Sequence, residues 1–97
     1  MYLRLVQFSL GPGKRSAAET IADKVIPPIR ARPGCVRAEF FIDEATGDDG
    51  FIVLWESRKA ADDSYPLISP ILNSALEAAG LTPPANIRTL EVYEPKK

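Results

Sequence analysis

Apolar and polar positions alternate through residues 2–10 (Y-L-R-L-V-Q-F-S-L), which predicts a strand ended by the breaker Gly11-Pro12-Gly13. The period then changes. Ala18, Ile21, Ala22, Val25 and Ile29 recur at i, i+3, i+4 and i+7, predicting a helix over about 15–31. Pro27 and Pro28 each lack a backbone donor and are expected to kink or restart it. Alternation returns over 35–43 (C-V-R-A-E-F-F-I-D) and 51–56 (F-I-V-L-W-E), joined by the turn-rich stretch 45–50, A-T-G-D-D-G. Ser57 is placed to N-cap a short helix, R-K-A-A-D-D, which Ser64-Tyr65-Pro66 is expected to interrupt. A second helical run continues to about 79 on the stripe Ile68, Ile71, Leu72, Ala75 and Ala79, with Gly80 at C′. After the stiff connector Thr82-Pro83-Pro84, residues 86–94 (N-I-R-T-L-E-V-Y-E) predict the last strand.

The order βαββαβ places the chain in the α+β class. Two right-handed crossovers predict a ferredoxin-like, four-stranded antiparallel sheet with both helices on one face, in one domain over residues 1–97. Strand alternation then divides the sheet. Leu3, Leu5, Val36, Ala38, Phe40, Ile42, Ile52, Leu54, Leu90 and Val92 form a uniformly apolar set, expected under the helices. The other set contains Tyr2, Arg4, Val6, Phe8, Arg37, Glu39, Phe41, Phe51, Val53, Trp55, Thr89, Glu91 and Tyr93. Its six aromatics make too large an apolar patch for a lone domain. A second copy packed on the same face would cover it, giving a homodimeric α/β barrel.

Composition narrows the rest. A domain of 97 residues buries only about 60–65% of its unfolded surface, so an oligomer interface would help it. Net charge is −1, from 12 basic and 13 acidic residues without clustering, which predicts neither nucleic acid nor an anionic membrane as partner. Cys35 is the only cysteine and cannot form an internal disulfide, which favours a reducing, cytoplasmic setting. No histidine is present, so His-ligated zinc or haem and Ser-His or Cys-His catalytic pairs are excluded. No apolar run approaches the ~20 residues of a membrane span.

Pro33-Gly34, the strand Cys35–Asp43, the hairpin and L-W-E-S-R-K-A-A at 54–61 resemble the antibiotic biosynthesis monooxygenase-like domains, which are dimeric α/β-barrel proteins. The resemblance extends over nearly the whole chain in element order and is specific around Pro33-Gly34 and Trp55-Glu56-Ser57. It implies a cofactor-independent oxygenase acting on a small aromatic or quinol-type substrate in a barrel cavity, without a metal. The family's oxygenases place an asparagine and a tryptophan on the barrel-facing side. Trp55 matches the tryptophan, whereas Phe51 stands where asparagine sometimes does. Haem-degrading members use an asparagine near the position of Gln7 and a histidine that falls on Tyr65.

The candidate chemistry follows from residue type. Trp55 can stack on a ring and donate through its indole N–H, and Tyr65 and Tyr93 can donate to a phenolate. Arg4 or Arg37 can hold an anion, and Glu39 or Glu91 can act as base. Phe41 and Phe51 supply apolar walls. The alternative is a non-catalytic homodimer of the same fold that binds a small apolar ligand or fills its lumen with side chains.

Overall fold

The computed structural model describes residues 1–96. Its elements are β1 (Tyr2–Ser9), α1 (Arg15–Arg30), β2 (Cys35–Phe41), β3 (Asp48–Trp55), α2 (Arg58–Ala78) and β4 (Asn86–Glu91). The four strands form one sheet in the order β2-β3-β1-β4, and every neighbouring pair is antiparallel. The ferredoxin-like arrangement predicted from the element order is therefore the observed one.

β3 begins three residues before the predicted start, because the hairpin loop closes early. The Asp43 carboxylate accepts from the N–H of Ala45 at 3.0 Å, and the Gly47 N–H donates to the Asp43 carbonyl at 2.7 Å. Gly47 sits at φ +77°, and a Cβ there would collide with the Gly11 backbone. Only glycine suits that position on both counts.

Both helices run unbroken through their prolines, against expectation. The carbonyls deprived of an i+4 donor belong to Asp23, Lys24, Asp62 and Pro66, all solvent-exposed residues. Water can satisfy them there, so the prolines do not stop the helices. The predicted interruption at Ser64-Tyr65-Pro66 is thus replaced by one helix of 21 residues. Ser57 caps it as predicted, its side chain accepting from the Ala60 N–H at 3.1 Å. Ser57→Ala is expected to cost about 1 kcal/mol of unfolding free energy. Urea titration of the two proteins reads that difference directly.

The face assignment is reversed on three of the four strands. Val6, Phe51, Val53 and Trp55 are buried beneath the helices, with Phe8 and Ile87 packed against them. Leu3, Leu5, Ile52, Leu54 and Leu90 occupy the open side. The buried helix stripes explain the choice, since Ala18, Ala61 and Ala75 are small and leave space that aromatic side chains must fill. Phe40 bridges the set, with ring centroids 6.0 Å from Phe8 and 6.2 Å from Phe51.

β2 follows the predicted alternation from Arg37 onward, with Ala38 and Phe40 inward. Val36 departs from it. Cys35 pairs with Trp55 and Arg37 with Leu54, so Val36 is an extra residue in a β-bulge and is exposed.

Candidate functional site

A narrow cleft lies between the sheet and the first half of α2. Its floor is Val6, Phe51, Val53, Trp55 and Ile87, and its roof is Ala61, Ile68 and Leu72. The polar lining consists of Arg4, Ser64, Tyr65 and Ser69. The cavity volume is about 30 Å3, room for one or two water molecules.

Trp55 reaches this cleft because β3 continues its alternation to its last residue. Its side chain is buried, and its Nε1 is the only fully buried side-chain polar atom without a hydrogen-bond partner among the described residues. An orphaned buried donor costs about 1–3 kcal/mol unless a water or a ligand oxygen satisfies it.

Arg4 crosses the cleft from β1. Its Nε and Nη2 donate to Thr89 Oγ1 at 3.3 and 3.2 Å, Nη1 donates to the Ala61 carbonyl at 3.1 Å, and Nη2 pairs with Asp62 Oδ1 at 3.2 Å. Cross-strand register makes this possible, since Arg4 and Thr89 are directly opposite. The guanidinium also lies 5.5 Å from the Tyr65 ring centroid, a cation–π contact at the cleft mouth. Ser64 is buried, and its Oγ accepts from Arg32 Nε at 3.3 Å.

Of the residues the sequence singled out, Trp55, Tyr65, Arg4 and Phe51 meet in this cleft. Arg37, Glu39 and Phe41 do not. They stand on the open side of the sheet, where Arg37 Nε and Glu39 Oε1 pair at 3.3 Å. Phe41 covers Gly50, its Cζ 2.8 Å from where a Cβ would sit. The expectation that these three share a face with Trp55 is therefore corrected. Gln7 also lies on the open side, opposite Gly50 and Asn86. Glu91 ends β4 opposite Tyr2 and is exposed, and Tyr93 is past the strand and exposed, so neither lines the cleft.

Ser64, Ile68 and Ser69 were not expected in the site, because they join Tyr65 on one face only if α2 is continuous through Pro66. The predicted break hid that spacing. Cys35 is half-buried beside Trp55 in the register, and burial pushes its thiol up from the ordinary value. Its alkylation at mildly alkaline pH is expected to be slower in the folded protein than in urea, as mass spectrometry would show. Equal rates would mean a freely accessible thiolate.

No cluster of three or more His, Cys, Asp or Glu side chains is arranged to hold a metal among the described residues. No helix there is long and apolar enough to cross a membrane.

No family model matches the chain. Among curated proteins it is 30% identical over 87 residues to the uncharacterized protein sll1783 of Synechocystis, covering 86% of this chain. The chain spans only 57% of that relative's length. Among solved structures it resembles a protein assigned as an antibiotic biosynthesis monooxygenase from Deinococcus radiodurans, with TM-score 0.74 at 16% identity over 100% of this chain and 97% of that one. The cofactor-independent oxygenase SnoaB of Streptomyces nogalater matches with TM-score 0.71 at 13% identity, over 97% and 94%. A monooxygenase of Streptomyces coelicolor, solved with the ligand nanaomycin D, matches with TM-score 0.70 at 19% identity, over 99% and 90%. The strand order, the two helices on one face and these likenesses over whole chains agree: the chain has the fold of the antibiotic biosynthesis monooxygenases it resembles.

Proposed function

We propose that this chain is a cofactor-independent oxygenase acting on a small quinol-type aromatic bound in the cleft against Trp55, in a homodimer paired through the open sheet faces. The observation that carries this reading is the buried, unpartnered indole N–H on the apolar floor of the cleft. A planar ring would lie among Phe51, Val53 and Leu72, while its oxygen would accept from Trp55 Nε1. In such a reaction the substrate supplies the electrons. One atom of dioxygen enters a ring carbon as a carbonyl, and the other leaves as water with the one hydrogen of that carbon and the phenolic proton. The protein contributes orientation, water exclusion and a donor for developing negative charge.

The cleft as it stands is smaller than the ~150 Å3 that accommodates a benzene ring. Admission of a ring therefore requires the roof to move. The roof segment is the part of α2 that lacks backbone bonds at Pro66 and Pro70, which makes it the softer wall. Tyr65 would then cover the ring at the mouth. The single cysteine needs no oxidising compartment, and we place the protein in the cytoplasm.

Oxygen uptake with a panel of quinols tests the reading. Trp55→Phe preserves most of the packing and removes the donor. It is expected to lower kcat/KM by about 10–100-fold, the worth of one hydrogen bond to a charged oxygen. Equal rates would remove Trp55 from the mechanism. A second reading, ligand binding without turnover, is favoured by Phe51 at the position where the oxygenases sometimes carry asparagine. Saturable quenching of Trp55 fluorescence with no oxygen uptake would establish it.

A further inference from the structure

We propose that the cleft takes its ligand already ionised, as the anion of an acidic phenol or hydroxyquinone, and does not itself remove the proton. The inference rests on the reading above and sharpens its substrate class.

The lining contains no carboxylate, imidazole, thiol or amine. Two of its polar side chains, Arg4 and Trp55, can only donate. The hydroxyls of Ser64, Tyr65 and Ser69 complete the polar lining, and Ser64 already accepts from Arg32. Arg4 is the one charged group of the lining. Four of its five N–H groups are used by Thr89, Ala61 and Asp62, which leaves one on Nη1 for a ligand.

The surrounding charges do not change this balance. On α2, Asp62 lies outside the lining, is 54% exposed, and is shared between Arg4 and Arg58 at 3.2 and 3.7 Å. Arg32 donates to Ser64 without lining the cleft, and Glu91 stands exposed at the end of β4. No base from β1, β3, β4 or α2 therefore reaches the floor.

A neutral phenol would accept more weakly and would bring an O–H that only the hydroxyls of the lining could receive, in a site otherwise made of donors. Its anion brings an acceptor that satisfies the orphan indole N–H and the free guanidinium N–H together. Hydrogen bonds to a charged acceptor are roughly twice as strong as neutral ones, and a low-dielectric cleft strengthens them further.

The test uses Trp55, the only tryptophan, as its own reporter. Phenols of graded acidity and the methyl ether of each are titrated into the full chain across the neutral pH range, following Trp55 fluorescence. Affinity is expected to rise about tenfold per pH unit below each ligand's own pKa and to level above it, so the break point moves with the ligand. Each ether should bind at least tenfold more weakly than its phenolate. Arg4→Met, and Arg4→Lys should the first variant fold poorly by circular dichroism, should weaken phenolate binding and leave the ether unchanged. A break point fixed at one pH for all ligands would mean that a protein group takes the proton, and would overturn the inference. Ethers binding as tightly as phenolates, with oxygen uptake intact, would overturn it while sparing the proposed function. Absence of quenching by any ligand at any pH would overturn both.

Discussion

Phe51→Ala is expected to lower the unfolding free energy by about 3–5 kcal/mol, the cost of emptying a fully buried aromatic site. Phe51 is 2% exposed and is among the largest fully buried side chains. It stacks on Phe40 from one side and forms the cleft floor on the other. Phe40 is held by its own strand pairing and cannot collapse into the void, which the softer roof of α2 would fill only in part. A small domain has only about 5–15 kcal/mol in total, so this variant should be partly unfolded near body temperature. Urea denaturation followed by Trp55 fluorescence measures it. A loss under about 1 kcal/mol would place Phe51 outside the cooperative core. Where the variant remains folded, the enlarged floor should admit bulkier ligands than the wild type.

That same residue shows what periodicity can and cannot decide. Element order was readable because the changes of period, from two to 3.6 and back, coincide with strong breakers such as Gly11-Pro12-Gly13 and Pro33-Gly34. The side of the sheet that meets the helices was not readable from alternation. Both sides are apolar at their centre: Leu3, Leu5, Ile52 and Leu54 on one, Val6, Phe51, Val53 and Trp55 on the other. Uniform apolarity suggested the first set as the core. Volume selects the second, because small helix residues such as Ala18 and Ala75 require large partners in the sheet. Arg4 and Thr89 misled for a related reason. They look like solvent-side residues, yet they bond each other, and Arg4 also bonds the start of α2, at the margin of the buried side.

The candidate site was half legible for the same cause. Arg4, Phe51 and Trp55 share one strand side and were grouped together correctly, and Tyr65 joined them through the resemblance. Arg37, Glu39 and Phe41 were added because the bulge at Val36 cannot be seen in a sequence. One extra residue reverses the phase of β2 relative to β3. The consequence is chemical. The reversal removes Glu39 from the cleft, and with it a carboxylate that would otherwise have served as a base.

Leu5→Asp is expected to convert the proposed dimer into a monomer without unfolding the chain. Leu5 is central on the open side, in the row Glu39, Ile52, Leu5 and Arg88, beside the row Arg37, Leu54, Leu3 and Leu90. These rows form an aliphatic centre with charges toward the two edges, the pattern of an interface core and its rim. A two-fold axis through that centre would set the Glu39 edge of one copy against the Arg88 edge of the other. A carboxylate at Leu5 would then be buried beside its own symmetry mate, at a cost of several kcal/mol per ion, weakening association at least a hundredfold. In the lone chain Leu5 is only half-buried and faces away from the helices, so the fold loses little. Sedimentation at micromolar concentration should give twice the 10.6 kDa chain mass for the wild type, and for Lys24→Asp, a charge change on the exposed side of α1. Leu5→Asp should sediment at the single-chain mass with unchanged Trp55 emission. A wild type that sediments as a monomer, or a Leu5→Asp dimer as tight as the wild type, would dismiss pairing through this face. Because the cleft lies on the other side of the sheet, its ligand affinity in Leu5→Asp separates the two roles. Retained binding in the monomer would show that each chain builds a whole site, and that pairing stabilises the floor from behind without supplying a residue to it.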